Sequence, residues 1–273
     1  MMMKRDVESG GGGADGGGLY PTMVESPQLR WSFIRKVYTI LTLQLLLTIA
    51  VAAVAVFVRP VALFFVSSTT GLLLFIILIF LPFITLRPLY YYHRKHPLNY
   101  FLLLIFTVTL AFAIGLTCAF TSGDSLLSSS SSSFTLHKSC NVKCGGKKLL
   151  LLLRKIILES VILTTVVVFS LTIYTFWAAR RGHDFNFLGP FLFGALLVLL
   201  VFSLIQILFP LGKLSLMIYG CLASIIFCGY IIYDTDNLIK RFSYDEYIGA
   251  SVSLYLDVIN LFLALLSVFR AAN

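Results

Sequence analysis

Charge is what this chain of 273 residues has least of: Asp, Glu, Lys and Arg make up 12% of it, about half the share in an ordinary soluble domain. That scarcity excludes an ordinary soluble enzyme. Tryptophan occurs twice, histidine four times and cysteine five times, too sparsely for a disulfide scaffold. There is no Gly-X-Y period and no internal repeat. What is abundant is apolar: 59% hydrophobic residues, 14% aromatic and a mean hydropathy of +0.94, which together exclude disorder. A polytopic membrane protein remains.

The stretches between successive charges make this quantitative. Residues 37–58, 60–86, 97–123, 160–179, 185–212 and 214–233 carry no charge, and each holds the roughly 20 apolar residues that cross a bilayer as a helix. A seventh stretch, 247–269, carries a single charge, Asp257. Open sheet edges cannot face lipid, so the expected fold class is all-α, with seven transmembrane helices. Residues 1–30 are polar and glycine-rich with no apolar h-region. No cleavable signal peptide is therefore expected, and the first span is expected to direct insertion. The expected organisation is a disordered N-terminal segment 1–30 followed by a membrane domain, 31–273.

Threading seven spans puts 12 Lys and Arg on the side of the N-terminus and 9 on the other, a weak positive-inside bias. The weakness comes from one loop. Without residues 124–154 the split becomes 12 to 4, which places the N-terminus in the cytoplasm. That loop is an atypical low-complexity segment, reading SLLSSSSSSFTL at 125–136 and ending in a bare leucine run at 149–153. Within it His137, Cys140 and Cys144 fall short of a zinc signature. Cys118, Cys221 and Cys228 read as small apolar residues, so neither a disulfide nor a structural metal is expected. The net charge of +9 is spread over span ends and fits anionic lipid rather than nucleic acid.

The chemistry of such a protein sits in ionisable groups at membrane depth, because a centred Asp costs about 2.5 to 3.5 kcal/mol on insertion scales. Three acids qualify. Glu159 opens the fourth span four residues after Lys155, where an i,i+4 ion pair accounts for it. Asp257 sits near mid-span, and Asp234 closes the sixth run. If the sixth helix continues to about residue 241 and the seventh begins near Tyr247, the two lie about 10 and 15 Å from the turn. Two carboxylates at similar depth titrate as a unit. Sharing a proton closes a hydrogen bond, and losing it separates the helices or admits a cation. That is a pH-gated cation path, for which each Asp bonding separately to a neighbouring helix is the plain alternative.

Two further classes stay open. An Asp pair on consecutive spans also describes intramembrane aspartyl proteases, although the GxGD and PAL motifs of those enzymes are missing. A small-solute transporter or receptor is the other, without the repeated halves usual in carriers. Serine chemistry is disfavoured because no GxSG occurs. Pro82 and Pro190 read as kinks or helix bounds, and Gly115, Gly194, Gly220 and Gly229 as sites of close helix packing.

The blocks YDTDNLIK at 233–240, YDEY at 244–247 and SLYLDVINLF at 253–262 resemble the C-terminal signature of the Bax inhibitor / Lifeguard family. VESPQLRWSFIRKVY at 24–38, HPLNY at 96–100 and GHDFNFLGPFLFG at 182–194 resemble its plant Lifeguard branch. The resemblance runs from about residue 24 to the end, except 124–154. It implies a seven-helix fold with a di-aspartyl pH sensor, here Asp234 and Asp257, and a calcium leak or channel that regulates Ca2+ homeostasis and suppresses stress-induced cell death. It places the protein in endomembranes, the endoplasmic reticulum first, with Golgi or vacuolar membrane as alternatives. It also implies a basic latch on the dyad from the second helix region, Arg87 or Arg94. Glu159 stays an accessory candidate. No enzyme activity and no cofactor are expected, Ca2+ being a permeant ion that contacts Asp234 and Asp257 only transiently. Expected partners are membrane lipids, Ca2+ and cell-death regulatory membrane proteins. Gly249 stands where the plant branch usually has a bulky Trp.

Overall fold

A computed structural model describes residues 27–57, 65, 69–92, 97–120, 142–209 and 212–272. Among them the chain forms seven long helices and no strand: α1 (Pro27–Phe57), α2 (Thr69–Tyr91), α3 (Leu98–Phe120), α4 (Val142–Arg180), α5 (Leu188–Leu208), α6 (Lys213–Lys240) and α7 (Tyr247–Ala272). A single 3-10 turn, Tyr244–Glu246, joins the last two. All seven are long and apolar enough to cross a membrane. Helix is the outcome even where β-branched residues crowd together, as at 165–168, because a backbone in hydrocarbon must bond to itself. Side-chain hydroxyls obey the same rule: Thr39, Thr117, Thr165 and Ser170 each donate to the carbonyl one turn back, at 2.8 to 2.9 Å.

The helices differ from the uncharged runs where a charge can be tolerated inside a helix. α1 starts ten residues before the first run, with Arg30, Arg35 and Lys36 inside it. Lys36 places its ammonium 3.3 Å from the centre of the Tyr247 ring, a cation–π contact that keeps the charge at the bundle end. α2 runs past the end of its uncharged run, through Arg87 to Tyr91. α4 begins at Val142, so the leucine run of the low-complexity segment is helical, whereas residues 124–141 lie outside the described residues. Pro82 lies within α2, and Pro190 occupies the first turn of α5, where its missing N–H costs nothing.

α7 is the centre of the bundle. Half of its span is buried, against 11% for α2 and α5. It packs against α6, α4 and α1; α3 joins α1 to α2, and α5 lies against α6. The core gathers Phe33, Val37, Leu89, Phe106 and Leu238 around Tyr255 and its neighbours on α7. Phe83, Phe169, Ile173, Phe191 and Val198 face outward, the placement that a lipid solvent favours.

Three of the four glycines expected at close crossings are there. A Cβ on Gly115 would fall 2.7 Å from Ala55 Cβ and 2.9 Å from Ala52 Cα, so α1 and α3 nearly touch. Gly220 sits against Ala264 and Val268 of α7, and Gly229 against Leu192 of α5. Gly194 is the correction: nothing lies within 4 Å of its missing Cβ, because it faces away from the bundle. Gly189, unremarked in the sequence, takes that role instead, under the Tyr233 ring. Gly115→Ala is expected to force the two backbones apart and cost about 2 kcal/mol. Gly194→Ala, unobstructed, should gain about 0.5 kcal/mol from helix propensity. Thermal unfolding of the two variants in detergent checks the contrast, and equal melting temperatures would contradict the packing.

Candidate functional site

The site is built from the end of α6 and the start of α7. α6 ends with the N–H groups of Arg241 and Phe242 both bonded to Asn237 O, at 2.8 and 3.1 Å. Ser243 N–H then donates to Glu246 Oε2 at 2.9 Å, which starts the 3-10 turn and aims α7 back along α6. The connection is therefore only residues 241–246, and the two helices must run antiparallel in contact.

Asp234 lies six residues before Lys240 and Asp257 ten after Tyr247, about 9 and 15 Å from the helix ends. Side chains lean toward their own helix N-terminus, so Asp234 leans deeper and Asp257 leans back toward the turn. The opposite leans close the gap, and the two carboxyl groups are in hydrogen-bonding contact. Asn237, one turn on from Asp234 along the same face, bonds to its carboxyl. Tyr230, one turn before, lies within electrostatic reach of both acids. Asp257 is 7% exposed and its Oδ2 has no hydrogen-bond partner, while Asp234 is half-buried. The pair that the spacing anticipated is thus assembled, with one oxygen left unsatisfied.

The other candidates are elsewhere. Glu159 pairs with Lys155 at 3.7 Å. It lies 21 residues from Arg180, about 31 Å along α4 and far from the depth of the pair. Arg87 is exposed on α2, which packs on α3, and it makes no contact with either carboxyl; Arg94 lies outside the described residues. His137 and Cys140 also lie outside them, as does the side chain of Cys144. Among the described residues no group of three His, Cys, Asp or Glu is placed to hold a metal.

Sequence reasoning missed a second charged cluster on the opposite face of α6. Lys240 and Asp236 are 3% and 1% exposed and pair at 2.6 Å. They fasten the loop between α4 and α5. That loop leaves α4 through Gly182 at φ 82°, with His183 N–H bonded to Ala178 O and Gly182 N–H to Ala179 O, both at 3.1 Å. This left-handed glycine cap delivers His183 O to the Lys240 ammonium and Phe185 N–H to Asp236 Oδ2 at 3.3 Å. Asp184 adds a contact of 3.6 Å to Lys240, and Arg241 reaches Asp184 and Asn186. Burial works to raise the Asp184 carboxyl, but the Lys240 charge, the contact with Asp236, the Asn186 N–H and Arg241 outweigh it and hold it below the ordinary value. From the other side Arg30 of α1, 1% exposed, donates to Leu238 O and Phe242 O and so caps α6 with a cation. The i,i+4 spacing of Asp236 and Lys240 was the available signal; their partners across the chain had none.

Fold and site define a seven-helix integral membrane protein with two acids joined between its last helices. Residues 30–136 and 133–273 match the family described as inhibitor of apoptosis-promoting Bax1, in two stretches that meet within the low-complexity segment. The chain belongs to this Bax inhibitor family. It is 64% identical to Protein LIFEGUARD 4 of Arabidopsis thaliana over 270 residues, covering 99% of this chain and 96% of that protein. It is 66% identical to Protein LIFEGUARD 2 of the same plant over 93% of this chain and 94% of that protein. A more distant relative, the Golgi anti-apoptotic protein of Vaccinia virus (strain Lister), is 34% identical over 91% of this chain and 89% of its own length.

Asp236→Asn would leave the buried Lys240 ammonium with Asp184 as its one anionic partner in the cluster, and is expected to cost about 3 kcal/mol. Asp184→Asn should cost under about 1 kcal/mol, because that carboxyl is nearly half exposed and screened. The Asp184 contribution is present above the ordinary carboxylate value of about 3.9 and fades as pH falls through its lowered folded value. Melting temperatures in detergent at neutral and acid pH check both, and an undiminished Asp236→Asn protein would refute the cluster's role.

Proposed function

We propose that this protein is a slow, pH-dependent Ca2+ leak of endomembranes, the endoplasmic reticulum first, with its N-terminus in the cytoplasm, and that the leak moderates stress-induced cell death. The observation that carries the reading is the meeting of Asp234 and Asp257 between α6 and α7. A hydrogen bond between two carboxyl groups needs one proton, and that proton holds the helices together. Loss of it leaves two like charges in contact, which at about 4 Å and an effective dielectric of 20 repel by about 4 kcal/mol. That is enough to part the side chains or to draw in a divalent cation. Ca2+ takes oxygen ligands, and the carboxylates with the Asn237 amide oxygen and water supply them. Conduction therefore rises as pH rises through the titration of the pair. The anti-apoptotic name of the viral relative, and its Golgi designation, support the cell-death role and an endomembrane site.

The test is Ca2+ flux into dye-loaded liposomes containing the full-length protein. Wild type should leak little near pH 5 and several-fold more near pH 8, roughly the range over which a buried carboxyl pair titrates. Asp234→Asn and Asp257→Asn should flatten that dependence. Variants that leak like wild type at every pH would overturn the assignment of the gate.

A further inference from the structure

Asp257 can face α6 only if α7 is held at one rotation about its axis. Tyr255 lies two residues before it, about 200° around the helix, and so points to the other side, toward α1 and α3. It is fully buried, with its ring edge-on to Phe106 of α3 at 6.2 Å. Its hydroxyl lies 2.7 Å from Thr48 Oγ1 on α1. The Thr48 proton is already committed to Gln44 O at 2.7 Å, so Tyr255 is the donor. One turn back, Gln44 Nε2 donates to Thr107 Oγ1 at 3.2 Å, and Thr107 donates to Leu103 O, which ties α1 to α3. α1 and α3 are also in near backbone contact at Gly115. They form one wall, to which the Tyr255 hydroxyl joins α7 at depth through Thr48, while nearer the turn Asn99 Nδ2 of α3 donates to the Tyr247 hydroxyl at 3.2 Å.

We propose that Thr48 and Tyr255 are positioning residues for the carboxyl pair: their hydrogen bond sets the rotation of α7 and so the contact between Asp257 and Asp234. A side-chain oxygen lies about 6 Å from its helix axis, so a rotation of 20° moves it about 2 Å, the difference between a hydrogen bond and none. Apolar packing alone, which has little directionality, resists such a slip poorly. A hydrogen bond out of water resists it through direction and through the penalty of a stranded hydroxyl. The charged groups acting on the pair are the two acids themselves, and Tyr230 of α6 is a titratable side chain within electrostatic reach of both.

The proposal rests on the leak reading for its consequence, but the geometry is tested separately. Infrared difference spectra of the full-length protein in liposomes report the carbonyl band of a protonated Asp as pH is changed. Thr48→Val and Tyr255→Phe are near-isosteric, and each should shift the midpoint of that band by about half a pH unit or more. The double variant should shift it no further than one single variant, since both remove the same bond. Thr48→Ser, which keeps the hydroxyl, should behave as wild type. Thr165→Val, on the outer face of α4, should also leave the band unmoved. An unmoved band in both Thr48→Val and Tyr255→Phe, additive shifts, or a wild type with no titrating band overturns the inference. A band that moves as expected beside a Ca2+ flux without pH dependence would leave the positioning intact and refute the leak.

Discussion

The crossing of α6 and α7 is the constraint on which the rest of this molecule depends. A six-residue connection forces the two helices to run back along each other, and the lean of each side chain toward its own N-terminus brings Asp234 and Asp257 to one depth. Neither acid has another reason to lie in hydrocarbon, where each is expensive. The register of this one pair of helices therefore decides whether the acids share a hydrogen bond or remain two separate penalties.

Other contacts hold that register from three sides. At the turn, Arg30 draws α1 onto the last carbonyls of α6. On the face of α6 opposite the acids, Lys240 and Asp236 clamp the loop between α4 and α5. At the far end, Gly220 lets α6 close onto Ala264 and Val268. Charge is spent at the rim, where water and loop backbone help to satisfy it, and small residues are used at depth, where van der Waals contact is the attraction available in lipid. Buried ion pairs add little net stability by themselves, but a broken one is costly. Such pairs suit a position where geometry matters more than strength.

Much of this was legible beforehand. Long uncharged runs locate seven helices because lipid leaves the backbone no alternative, and the depth of the two acids follows from helix rise and the length of the turn. What misled was locality. Charges at Arg30, Arg35 and Lys36 looked like the end of a span, yet inside α1 a tyrosine ring accommodates Lys36, two carbonyls from the far end of the chain accommodate Arg30, and Arg35 is exposed. Gly194 and Gly189 are five residues apart, and composition cannot tell which one faces α6. The resemblance implied Arg87 or Arg94 as a latch on the acids, but α2 packs at the periphery and leaves Arg87 exposed. Asp236 and Lys240 were visible as an i,i+4 pair, whereas their link to His183 and Phe185 depends on a glycine cap more than fifty residues earlier.

The same reasoning explains why the acids are left imperfectly satisfied. A structure selected only for stability would complete the hydrogen bonds of a buried carboxyl, yet Asp257 Oδ2 has no partner in the middle of a helix half of whose span is buried. Each buried orphan costs about 1 to 3 kcal/mol, more when charged. The bundle carries that cost inside its most extensive helix contact, and surrounds it with fixed contacts at Arg30, Lys240 and Gly220. An element that is bistable must be weak at one place and rigid around it. For the gate proposed above, the weak place is the carboxyl contact, and the rigid frame is the rest of the α6–α7 crossing.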